Sequence, residues 1–137
     1  EAMRATAVLE NRGVSIEHLH VSTHKPFNDP AILAAAAKAK HGVMTMENHT
    51  VIGGLGSEVA EVMAEAGLGQ KLVRIGLKDT YAHGASRPYL MRTHGLDAMA
   101  LVRQAEKLVG ETLNITEEDL QAVRLDAVHS DAKAEAL

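Results

Sequence analysis

The stretch densest in chemistry is MENHTVIGGLG, residues 46–56, where Glu47, Asn48 and His49 stand just before three closely spaced glycines, Gly53, Gly54 and Gly56. A glycine-rich turn leading into an amphipathic helix can hold a phosphate, because it aims backbone N–H groups and the positive end of a helix at an anion. The residue types here argue against a nucleotide. Read from Gly54 the segment is G-L-G-S-E-V, so Val59 stands where a dinucleotide fingerprint needs its third glycine, and no G-x-x-x-x-G-K-[ST] pattern follows. Glu58 and Glu61 also put carboxylates in the first turns of the coming helix, so a phosphate there would meet like charge. The loop reads as a tight turn at which two backbones approach closely. Glu47, Asn48 and His49 fall at the C-terminal end of a strand, the edge where open α/β sheets meet ligands and partners. Two roles stay open for them, bracing the loop and touching a partner.

Eight histidines raise the question of a metal. His18 and His20 share one face of a predicted strand and His24 lies nearby, but no third ligand is set in place and no H-E-x-x-H pair occurs. They read as strand-edge or interface residues, and no metal ligand is assigned. His83 and Gly84 lie in an irregular AHGAS loop, where the imidazole either braces the loop or makes a polar contact at an interface. No Ser-His-Asp spacing and no G-x-S-x-G elbow stands out. On its own residues the chain carries no recognisable catalytic or cofactor-binding machinery.

Composition narrows the classes further. The chain has 137 residues, one domain's worth, and is long enough to bury about two-thirds of its unfolded surface. A formal charge of -4, with Lys and Arg dispersed, gives no field that would draw it to nucleic acid. Phe27, Tyr81 and Tyr89 are its only aromatic residues, too few for base stacking or an aromatic ligand pocket. The lack of cysteine removes disulfides and zinc ribbons and fits a cytoplasmic setting. No apolar run nears the ~20 residues of a membrane helix, so no membrane association is expected.

The elements that must position these residues follow from periodicity. Ala2, Ala5, Val8 and Leu9 are helically spaced, with Gly13 placed to end that helix. Residues 14–21 alternate as a strand, and HKPFNDP then turns into a helix capped by Asp29, begun by Pro30 and running to about Lys40. Residues 42–47 form an apolar strand buried on both faces. The helix with Leu55, Val59, Val62, Met63 and Ala66 inward follows, closed by Gly67 and Gly69. A third strand spans 71–77, and 78–93 is irregular. Asp97 caps a helix with a clean apolar face from Ala98 to Val109, and Thr116 opens a last helix over 117–128 with a frayed polar tail. Strands alternating with helices predict an α/β fold, a mostly parallel sheet covered on both faces.

Four blocks in order, THKPFND, VMTMENHTVIGGLGSEVAEVMAE, RIGLKDTYAHGAS and THGLDAMALVRQAEKLV, resemble the C-terminal domain of transketolases, closest to the small, split bacterial and archaeal type. The likeness covers residues 2–110, and Glu-Asn-His before the glycines favours transketolase over the related 1-deoxyxylulose-5-phosphate synthases, with the equivalent domain of a 2-oxoacid dehydrogenase beta subunit as the alternative among related enzymes. The resemblance implies a three-layer α/β/α domain over residues 1–112 with a five-stranded sheet. Its first strand would precede Glu1, a short strand would follow Leu77, and residues 113–137 would be a helical extension and tail. It also implies a parent enzyme that transfers a two-carbon ketol unit between sugar phosphates. Thiamine diphosphate and Mg would be held by the pyrimidine-binding and pyrophosphate-binding domains or subunit of a homodimer, and not by this chain. The positions that match the family's motifs are Glu47, His49, Gly53, Gly54, Gly56, His83 and Gly84. His24 departs from a usually apolar position. A free-standing module binding a small anion at the glycine loop is the alternative from another class.

Overall fold

The computed structural model of the chain describes residues 1–123. In chain order its elements are α1 (Ala2–Asn11), α2 (Pro30–Lys38), β1 (Val43–Thr50), α3 (Leu55–Glu65), β2 (Leu72–Leu77), α4 (Arg87–Thr93), α5 (Ala98–Val109) and α6 (Glu117–Ala122). Local chemistry sets most of the ends. The Asp29 carboxylate accepts the Ala31 N–H at 2.9 Å to start α2, and Asp97 accepts the Ala100 N–H at 2.9 Å to start α5. Gly13 and Gly110, at φ of +85° and +78°, end α1 and α5 in the left-handed region that a Cβ disfavours.

β1 and β2 are parallel, with Val43 opposite Leu72 and Met46 opposite Ile75, and the register slips between Met46 and Thr50. Because strand side chains alternate, the two faces of this sheet enter two separate cores. Met44, Met46, Val73, Ile75 and Leu77 join the cluster built from α1, α5 and α6, whose buried members include Leu9, Val102 and Leu120. Val43 and Leu72 join Ile32 and Ala36 of α2 and Val59 and Met63 of α3. Helices thus cover both sides of the sheet, as the α/β reading expects. No helix among the described residues is long and apolar enough to cross a membrane.

The structure departs from sequence expectation at several places, each with a physical reason. Residues 14–21 are not a strand. Val14 and Ile16 reach the α1/α5 core and Val21 the α2/α3 core, but a strand also needs a ladder, and the sheet has two strands among the described residues. Among the described residues no further strand follows Leu77. Instead α4 occupies part of the segment read as irregular, announced by Ser86 at the N-cap and proline in the first turn, and hidden because none of its residues is buried. β1 runs on to Thr50, so Asn48 and His49 lie within it rather than after a strand that ends at Glu47. α2 stops at Lys38, where Ala39 turns extended. The predicted last helix ends at Ala122, where Val123 turns extended, and residues 124–128 and the polar tail lie outside the described residues.

Residues 113–123 pack on the main core. Leu120 is fully buried there, and the Arg12 guanidinium donates to Leu113 O at 3.3 Å and to Asp119 at 3.0 Å. The capping box of α6 forms as read, and the Thr116 backbone N–H it accepts holds the Asp119 carboxyl below the usual range. A depressed carboxyl contributes stability above its unfolded pKa and loses it as pH falls through the lower folded one. The α6 cap is therefore expected to release at a more acid pH than an unpartnered aspartate would titrate, read from the Asp119 amide shift. Core packing gives a second expectation. Leu9→Ala should cost about 2–5 kcal/mol in urea unfolding, and Met3→Ala, at an exposed site, within about 0.5 kcal/mol.

Candidate functional site

The sequence places a carboxylate, an amide and an imidazole at the end of β1, and the fold sends that strand end straight at the N-terminus of α3. There Glu47 accepts two backbone N–H groups, Leu55 on Oε2 at 2.8 Å and Gly56 on Oε1 at 3.0 Å. Its side chain is only 9% exposed. The first N–H groups of a helix lack partners within it and carry the positive end of its dipole. A bidentate carboxylate satisfies both needs, and such charge-assisted bonds are about twice as strong as neutral ones. The anion site that the glycine loop creates is filled by the protein itself.

The glycines make room for that carboxylate. A Cβ on Gly54 would run into the Glu47 carboxylate and stand 2.8 Å from Thr50 O. On Gly76, across the sheet in β2, a Cβ would stand 2.9 Å from His49 O and 3.1 Å from Glu47 Cγ. Gly56 faces the Arg74 side chain, 2.7 Å from Cδ. Gly53 has open space around it and serves instead through its φ of +72°.

The outer half of the loop is braced by Ser57. Its hydroxyl accepts the Gly53 N–H at 3.0 Å and donates to Val51 O at 3.0 Å. Arg74 Nη1 donates to the same carbonyl at 3.0 Å and lies 3.4 Å from the hydroxyl. Between these fixed points Ile52 is held out, 62% exposed. His49 Nδ1 donates to Thr50 O at 2.9 Å and lies 3.9 Å from Glu47 Oε2. Its Nε2 has no partner among the described residues. Asn48 is exposed on β1. His83 and Gly84 are exposed in the β2–α4 connection, which leaves the same end of the sheet, since the Val51 N–H bonds Leu77 O at 2.9 Å.

The structure thus joins Glu47, Gly54 and Gly56 in one unit, with Gly53 and His49 beside it. It does not bring His83 and Gly84 into contact with them. The roles of Ser57, Arg74 and Gly76 were not legible beforehand, although an Arg and a Gly on one face of LVRIGL are the signal of a strand face meeting something other than an apolar core. Val59, which disqualified the dinucleotide fingerprint, is buried in the α2/α3 core. No group of three His, Cys, Asp or Glu side chains able to hold a metal occurs among the described residues. The arrangement can brace and present a sheet edge.

Residues 1–101 match the family described as Transketolase, C-terminal domain. The chain belongs to that family. A protein named as a transketolase C-terminal section in Methanocaldococcus jannaschii is 38% identical over 76% of the chain and 32% of its own length. The 6-deoxy-6-sulfo-D-fructose transketolase subunit of a Clostridium strain is 39% identical over 79% of the chain and 33% of its own length. The 1-deoxy-D-xylulose-5-phosphate synthase of Chlorobium phaeovibrioides is 39% identical over 78% of the chain and 16% of its own length. A solved split-gene transketolase, an inactive beta4 tetramer, superposes with a TM-score of 0.66 at 31% identity, over 80% of the chain and 36% of the solved one. This transketolase C-terminal domain therefore spans about a third or less of the relatives it matches.

Substitutions in the domain's glycine loop should separate the internal cap from an ordinary turn. Glu47→Gln keeps one accepting oxygen but loses the charge, and is expected to cost about 1–2 kcal/mol. Gly54→Ala should cost about 2 kcal/mol or more from overpacking. Gly69→Ala, with open space around it and no positive φ, should lie within about 0.5 kcal/mol of wild type. Equal denaturation midpoints for the two alanine variants would mean that the carboxylate does not occupy its slot.

Proposed function

We propose that the chain is the structural C-terminal domain of a thiamine-diphosphate-dependent transketolase, whose reaction moves a two-carbon ketol unit between sugar phosphates. The observation that carries the non-catalytic role is the filled helix end at Glu47. A pyrophosphate would need free N–H donors, and those of Leu55 and Gly56 are engaged by an internal carboxylate. The described residues also offer no cluster for the divalent cation. These residues do not fit the cofactor, so its binding and the chemistry belong to the pyrimidine-binding and pyrophosphate-binding domains or subunit.

The ketol-transfer reading is supported by relatives named as sugar transketolase subunits, including the Clostridium protein above and an apulose-4-phosphate transketolase subunit of Actinobacillus succinogenes. The role of Glu47, Asn48, His49 and the glycine loop, with His83 and Gly84, is to shape the sheet end that meets other domains or copies in a dimer. The tetramer of the split-gene neighbour supports association with other domains or subunits. A second reading, the same domain in a 1-deoxy-D-xylulose-5-phosphate synthase, is favoured by the synthase of Chlorobium phaeovibrioides. The absence of cysteine agrees with a cytoplasmic enzyme.

Turnover and cofactor binding measured on this chain alone, then mixed with the companion domains, test the reading. Alone, it should neither turn over sugar phosphates nor bind thiamine diphosphate; mixed, ketol transfer should appear. Formation of 1-deoxyxylulose 5-phosphate in the mixture would select the synthase instead. Activity of the isolated chain would overturn the structural role.

A further inference from the structure

The connection from α1 to α2 crosses the face of the molecule next to α3, and its attachment there is unusual. No backbone–backbone hydrogen bond ties residues 15–28 to the rest of the described chain. The connection is held instead by side chains. His24 Nδ1 donates to Glu58 Oε2 in the first turn of α3 at 2.6 Å, with the imidazole 54% and the carboxylate 27% exposed. The same imidazole stacks on Phe27, centroids 6.4 Å apart and planes 15° from parallel, and Phe27 packs against the α2/α3 core. The connection folds around a groove of about 390 Å³ lined in part by Leu19, Val21, Thr23, Pro26 and Ile32.

We propose that His24 and Glu58 form a proton-operated clasp that sets how firmly this connection, and the groove it encloses, is seated on α3. A neutral imidazole holds the carboxylate through a single hydrogen bond. An imidazolium adds the attraction of opposite charges at the same short distance. Glu58 is the acidic group paired with the His24 ring. Of the other charged groups nearby, Glu61 lies one turn along α3 and Lys25 is adjacent in sequence. Asp29 is engaged at the start of α2, and Glu47 is engaged on Leu55 and Gly56 at the end of α3. The clasp is therefore tighter with an imidazolium at His24 than with a neutral imidazole.

Backbone ¹⁵N order parameters of residues 22–28 in the 137-residue chain, at pH 5.5 and pH 8.5, test the clasp with a local readout. In wild type the mean over these amides should fall by about 0.1 or more from the lower pH to the higher, within the span between rigid and flexible backbone. In His24→Gln and in Glu58→Gln it should stay at one low value at both pH values. Both side chains are partly solvent-exposed, so the variants are expected to fold. A pH-independent order parameter in wild type, or an equal pH dependence in either variant, would overturn the proposal.

Discussion

The described architecture turns on a carboxylate at the end of one strand meeting the first N–H groups of the next helix. Glu47 leaves β1 and accepts from Leu55 and Gly56, so strand, turn and helix are joined by two charge-assisted bonds at a nearly buried site. Such a group interacting with a helix end contributes up to about 2 kcal/mol in partly buried geometry. That is a large share of the 5–15 kcal/mol by which domains are typically stable. The interaction also dictates composition around it. Gly54 and Gly76 must lack a Cβ for the carboxylate to reach its place, so two glycines on different elements answer to one glutamate.

From that joint the loop end of the sheet follows. Parallel strands deliver both of their outgoing loops to one edge of the sheet, and the Val51–Leu77 bond couples the loops where they diverge. Ser57 and Arg74 then fix the glycine loop from outside while Glu47 fixes it from beneath. An apolar side chain on such a loop, Ile52, is displayed without the entropic cost of ordering it on contact. Rigidity and exposure together suit an edge that braces neighbours. They do not suit a site that must close around a substrate.

Much of this was legible beforehand, because the responsible signals are local. Asp29, Asp97 and Thr116 cap their helices through their own side chains, and Gly13 stops its helix through backbone conformation. The apolar run at 43–46 is packed against on both sides, and partly buried there, because α/β sheets are covered twice. What was not legible depends on partners distant in sequence. Residues 14–21 have the alternation of a strand, but a ladder is a property of two segments. α4 lies on the surface and so leaves no apolar stripe to read. At the site, the carboxylates inferred to complement the end of α3 were Glu58 and Glu61. Glu58 instead engages His24, and the cap is Glu47, eight and nine residues before the donors it satisfies. Proximity along the chain pointed to the wrong glutamate, while the glycine spacing pointed to the right loop.

The internal cap also settles how the loop behaves toward phosphates in solution. A helix N-terminus framed by glycines attracts anions in general, and free phosphate or a phosphorylated sugar would compete for it by concentration. A tethered carboxylate held within 3.0 Å of two N–H donors competes as an intramolecular ligand, at an effective concentration of about millimolar or above. It also leaves a negative charge beneath the loop, so an arriving phosphate must displace one anion while approaching another, Glu58 of the same helix turn. The glycine pattern and the glutamate are therefore one device. The glycines open an anion site, and the strand that precedes them closes it.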